Sequence, residues 1–157
     1  MKAGELAEPY PTVRLDADAL EAARLLTEHG RPGLVVVDEA DHPVAVLPGS
    51  QVLRFLIPDY VQEDPALARV VDEGFVDEVC GALAQRTVKE LLPKDRVPLP
   101  IADPDDNLLE VAALMASAHS PLVAVVEGDT KRGPILGAIT LSALLGRLLP
   151  RRITDPS

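Results

Sequence analysis

One stretch of this 157-residue chain occurs twice. DALEAARLLTEHGRPGLVVVD, from Asp18 to Asp38, returns as NLLEVAALMASAHSPLVAVVE, from Asn107 to Glu127. Glu21 answers Glu110, Leu25 answers Leu114, Pro32 answers Pro121 and Val37 answers Val126, all at one constant offset. A duplication constrains the fold more than any single motif, because what one copy forms the other must form too. The match extends outward on both sides. KAGEL at Lys2 to Leu6 answers TVKEL at Thr87 to Leu91, and PVAVLPGSQVLRFL from Pro43 answers PILGAITLSALLGRLL from Pro134, so each unit takes about half of the chain.

Local signals agree within each unit. Asp18 or Asn107 can accept a backbone N–H as N-cap while Glu21 or Glu110 bonds back to the cap, and apolar residues then recur at helical spacing through Leu26 or Met115. Gly30 ends the first helix, and Pro121 stops the second soon after Ser120. LVVVD from Leu34 and LVAVVE from Leu122 are short, β-branched and bounded by turn residues, the pattern of a buried strand. VAVL from Val44 and ILGAI from Ile135 supply the partner strand; Ser50 to Leu56 and Leu141 to Leu149 form closing helices. With extended lead-ins at Thr12 to Leu15 and Val97 to Ala102, each unit reads β-α-β-β-α.

Between the copies, Pro65 fits the first turn of a helix. Leu67, Val70 and Val71, then Phe75, Val76 and Val79, keep helical spacing around Gly74, which predicts two short helices packed over the pair or against a second chain. The expected organisation is a first repeat at 1–57, a helical linker at 58–86, a second repeat at 87–150 and a tail at 151–157.

Composition excludes several functions. A formal charge of −10 repels a phosphate backbone, and two Phe, two Tyr and no Trp leave little for base stacking, so nucleic acid is not the partner. Arg147, Arg151 and Arg152 cluster near the C-terminus, where they read as charges complementing a last helical turn. The chain has no apolar run near the roughly 18 residues of a spanning helix, and MKAGELAEPYP lacks the apolar core of a signal peptide. A soluble cytoplasmic protein, not an integral membrane one, is expected. Cys80 is the only cysteine, and with three scattered histidines it gives no zinc spacing.

No catalytic constellation emerges. Asp16, Asp18, Asp103, Asp105 and Asp106 stand where caps and turns need them, Ser50 and Ser142 lack a positioned histidine, and His29 and His119 lie at helix ends. GDTKRG, from Gly128, is too short and polar for a phosphate-cradling loop. The chain reads as a non-enzyme.

The doubled order and the residues at its joints resemble a tandem pair of CBS domains, named after cystathionine β-synthase. Five pieces carry the resemblance: a lead-in strand before an acidic cap, the LLEVAALM-like helix, a proline opening the central strand, an acidic residue closing it, and the GAIT turn at Gly137 to Thr140. The resemblance implies an α/β (α+β) fold of two β-α-β-β-α repeats packed as a pseudo-two-fold pair. It further implies an adenosine-containing ligand of the AMP, ADP, ATP, S-adenosylmethionine or NAD class. In the family pattern a Thr or Ser at the turn into the closing helix meets phosphate, and an Asp three residues later holds the ribose; backbone near the central-strand proline receives adenine. Here the second copy has Thr140 but Ala143 where the Asp belongs, while the first has Pro48 and Gln51 at those positions. Gly137, Thr140, Ala143, His119, Ser120 and Leu122 are therefore the candidate ligand-binding residues. Thr140 serves equally as a plain N-cap, and core or strand-entry roles suit His119, Ser120 and Leu122 better than ligand contact.

Two functions follow from the resemblance. One is a regulatory sensor whose weak ligand, held mainly in the second repeat, modulates a partner enzyme or membrane transporter in trans. The other is a dimerisation and interaction module with decayed clefts. In both, the stripe Leu141, Leu144, Leu145, Leu148, Leu149, with Val52, Leu53 and Leu56 from the other copy, is expected to support a homodimer.

Overall fold

The computed structural model describes residues 1–57, 63–70, 81, 83–96, 98–128 and 132–150. The expectations on Val71, Gly74, Phe75, Val76, Val79, Cys80, Val97, the 129–131 turn, Arg151 and Arg152 lie outside those residues. In chain order the elements are α1 (Ala3–Leu6), β1 (Thr12–Arg14), α2 (Ala19–His29), β2 (Gly33–Val37), β3 (Pro43–Pro48) and α3 (Gly49–Leu56). After a 3-10 helix at Pro65–Val70 come α4 (Val88–Leu91), β4 (Ile101–Ala102), α5 (Leu108–Ala118), β5 (Leu122–Val126), β6 (Ile135–Thr140) and α6 (Leu141–Leu148). Pro65 does open a helix, but one of 3-10 type, with the Asp64 carboxylate accepting the Ala66 N–H at 3.2 Å.

The strands form two three-stranded sheets, one ordered β1-β2-β3 and the other β4-β5-β6. In the first, β1 runs parallel to β2 with Val13 opposite Val36. In the second, β4 runs parallel to β5 with Ala102 opposite Val125, and β6 lies antiparallel to β5 with Ile139 opposite Val123. GLVVV and LVAVV are the middle strands and are buried at every position, which is why they read as unbroken apolar runs rather than alternating ones.

The chain divides into two compact units that are not its two halves. One comprises Met1–Tyr10, Ala40–Pro43 and Pro98–Ser157; the other comprises Pro11–Glu39 and Val44–Val97. Helix α1 thus belongs with the elements of the second repeat. Ala3 and Leu6 share a core with Val111, Met115, Val123 and Ile139, and the Ala3 and Gly4 N–H groups donate to the carbonyls of Asp106 and Pro104 at 2.8 and 2.9 Å. Helix α4 mirrors this in the other unit. Val88 and Leu91 pack with Val36, Leu47 and Val52, while the Val88 and Lys89 N–H groups donate to Ala17 and Leu15 at 2.9 and 3.0 Å. Four residues are far too few to hold a helix in water, so α1 and α4 exist only by being docked.

The two capping signals come out differently. At α5 the box closes as its sequence predicts: the Asn107 side chain accepts the Glu110 N–H at 2.9 Å and the Glu110 carboxylate accepts the Asn107 N–H at 2.7 Å. At α2 the expectation is corrected, because Asp18 makes no side-chain cap bond. Backbone holds that helix entry instead, with the Ala19 N–H donating to the Arg86 carbonyl at 2.8 Å. Gly30, at φ 59°, ends α2 in the left-handed region as expected.

Candidate functional site

Strand β6 passes into α6 without an intervening loop, and Thr140 is the residue at the joint. Its Oγ1 accepts the Ala143 N–H at 3.2 Å and lies 3.4 Å from the Ser142 hydroxyl. The Leu141 N–H donates to the Pro121 carbonyl at 2.9 Å, tying the helix start to the entry of the central strand. Thr140 is thus an N-cap in this structure, and its hydroxyl stands where a helix N-terminus favours negative charge.

The remaining candidates distribute around this joint. Leu122 lies directly opposite Thr140 in the β5–β6 register, and its side chain is buried. Ser120 donates from its hydroxyl to the Leu122 carbonyl at 2.7 Å. His119, exposed and left-handed at φ 50°, ends α5. His119 and Ser120 line an apolar groove of about 470 Å³ between α5 and α6, with Pro121 and Leu141 beside them. Ala143 is half-buried and packs against the core of its unit. The turn expected at GAIT is corrected: Gly137 lies inside β6 opposite Val125, where it has a packing role. The N-terminal segment crosses it, with Glu8 and Ala138 exchanging backbone hydrogen bonds at 2.9 and 3.0 Å, and a Cβ on Gly137 would come within 2.8 Å of the Glu8 carbonyl oxygen.

The equivalent joint of the first repeat is built from other groups. Pro48 occupies the N-cap of α3 and makes no side-chain cap bond, while the Gly49 N–H donates to the Pro32 carbonyl at 2.8 Å. Gln51 spends its amide Nε2 on the Leu91 carbonyl at 3.0 Å, latching α3 to α4. Neither Glu8 nor this latch could be found from the sequence; a single glycine or glutamine carries no signal of what crosses it.

Among the described residues no charged or polar side chain is fully buried, and no cluster of three metal-ligating residues occurs. The acidic turn reads as expected, Asp103 and Asp106 accepting the N–H groups of Asp105 and Asp103 at 2.9 and 3.0 Å. Among the described residues no helix is long and apolar enough to cross a membrane.

A family model described as the CBS domain matches residues 3–58 and 88–150. The chain belongs to the CBS domain family. CBS pairs are regulatory modules and are generally non-catalytic. This CBS pair is 51% identical to a CBS domain-containing protein of unknown function from Kribbella flavida, with 96% of this chain and 99% of that one aligned and a TM-score of 0.84. The CBS domain of a CBS domain-containing membrane protein from Sphaerobacter thermophilus is 26% identical over 96% of this chain and 90% of its own, at a TM-score of 0.73. CBSX2 in complex with AMP shares the fold at 19% identity, covering 94% of this chain and 95% of its own, at a TM-score of 0.62. Comparison with curated proteins gives no match.

Proposed function

We propose that this CBS pair is a non-catalytic cytoplasmic sensor. It binds an adenosine-containing ligand of the AMP or ATP class weakly and mainly in the second repeat, acts as a homodimer, and modulates a separate partner protein. The supporting observation is the unequal chemistry of the two helix joints. Thr140 offers a hydroxyl at the start of α6, whereas Pro48 offers neither hydroxyl nor N–H and Gln51 is engaged with Leu91. That a CBS pair of the same fold was solved with AMP supports the ligand class.

Weakness follows from Ala143. Without a carboxylate there, the ligand forgoes a charge-assisted hydrogen bond worth roughly 1.5–3 kcal/mol, which is about a tenfold to hundredfold loss of affinity. A second reading, in which the clefts no longer take nucleotide and the protein serves only in dimerisation and docking, is favoured by the Thr140 hydroxyl already capping Ala143.

A thermal-shift series with AMP, ADP, ATP, S-adenosylmethionine and NAD, repeated on two variants, separates these readings. Ala143→Asp should tighten the ligand by roughly 1.5–3 kcal/mol, and Thr140→Val should weaken it by a similar amount. Absence of any shift in both the natural protein and Ala143→Asp leaves the interaction module as the function.

A further inference from the structure

We infer that Glu8, on the N-terminal segment, determines the nucleotide preference of the Thr140 joint, admitting the monophosphate ahead of the triphosphate. The inference rests on the sensor reading above and deepens it.

Glu8 and Ala138 face each other as an antiparallel pair that exchanges both backbone hydrogen bonds. Residues paired in this way carry their side chains on one face, and alternate residues along a strand return to that face. Glu8, Ala138 and Thr140 therefore share a face with Leu122 and Ala124 of β5, whereas Ile139 turns the other way into the core with Val111 and Met115. A residue opposite Ala138 is the diagonal neighbour of Thr140, about 7–8 Å away. Glu8 is exposed, and among the described residues no cation pairs with its carboxylate.

The joint holds no Lys or Arg to offset this charge. Residues 118–122 and 137–143 contain His119 and no other basic side chain. Lys2 is engaged with Asp105 at 3.2 Å, Arg132 precedes β6 at the end opposite Thr140, and Arg147 lies in the last turn of α6. The start of a helix offers roughly half a positive charge, while one phosphate monoester already brings about −1.5 to −2. Every further phosphate then adds negative charge against Glu8 with no cation to receive it. At such a separation one unit charge alters affinity by about threefold to thirtyfold, and a Debye length of about 8 Å in physiological salt leaves part of that in force. The first repeat has no equivalent: at the offset that matches Leu91 to Leu6, Pro93 stands for Glu8 and Lys94 follows.

Calorimetry with AMP, ADP and ATP, without magnesium and at low and physiological salt, tests the assignment on the natural protein, Glu8→Gln and Glu8→Lys, with circular dichroism melting to check that each variant folds. AMP is expected to bind the natural protein at least about threefold tighter than ATP, with the gap closing as salt rises. Glu8→Gln should shrink the gap and Glu8→Lys should reverse it, since both leave the backbone pairing with Ala138 in place. If Glu8→Lys melts early, Glu8→Gln decides. An equal change in all three affinities, or an AMP-to-ATP ratio that neither variant moves, makes Glu8 a structural residue and overturns the inference while the sensor reading stands. Should no nucleotide bind any of these proteins or Ala143→Asp, the sensor reading falls and the inference with it.

Discussion

Asn107 and Asp18 occupy matching places in the duplication, yet only Asn107 caps its helix with its side chain. Asn107→Ala is therefore expected to cost about 1 kcal/mol, and Asp18→Ala to stay within about 0.5 kcal/mol of the natural protein, in urea unfolding. A similar contrast separates two glycines. Gly137 is buried with the Glu8 carbonyl oxygen 2.8 Å from where a Cβ would sit, and that oxygen belongs to backbone already bonded to Ala138. Gly146 lies inside α6 with nothing within 4 Å of the same position. Gly137→Ala should destabilise by about 1–3 kcal/mol through overpacking, while Gly146→Ala should stabilise by roughly 0.5–1 kcal/mol through helix propensity. Thermal melts of the two variants moving in the same direction would contradict this account.

Helices and strands were legible wherever periodicity or an unbroken apolar run recorded burial. The 11-residue helices α2 and α5 and the middle strands β2 and β5 lie where those patterns put them, within a residue or two at the ends. The closing helices were legible too, but their stripe needs correction: Val52 and Leu144, at 4% and 2% exposure, face their own cores and add nothing to an outer surface. A run of leucines fixes the helix; which of them turn inward is decided by the sheet beneath. The exchange of α1 and α4 was not legible at all. KAGEL and TVKEL announce themselves as equivalent, but four residues hold no information about which core receives them. Because Leu6 and Leu91 are both buried in the unit they do not lead in sequence, Leu6→Ala should cost about 2–5 kcal/mol and lower hydrogen-exchange protection in α5 and β5 before α2 and β2; Leu91→Ala should do the reverse.

For the molecule as a whole, the proposed function and the inequality of the two joints together predict a stoichiometry. Calorimetry with an adenosine ligand is expected to give at most one site per chain, since Pro48 puts no hydroxyl or N–H at the cap of the first joint and the Gln51 amide nitrogen is engaged with Leu91; two equivalent sites would refute the assignment to Thr140. Docking of α1 beside α5 has a consequence in time as well as in space. Ala3 and Leu6 find their partners at Asp106, Val111 and Val123, about a hundred residues later in the chain. At a synthesis rate of roughly 5–20 residues per second, those partners emerge some 5–20 seconds after the helix they must receive. Until then Leu6 has no core to enter, and the edge of β6 that pairs with Glu8 does not yet exist. Long-range closure of this kind slows folding and leaves apolar surface open while the ribosome is still at work.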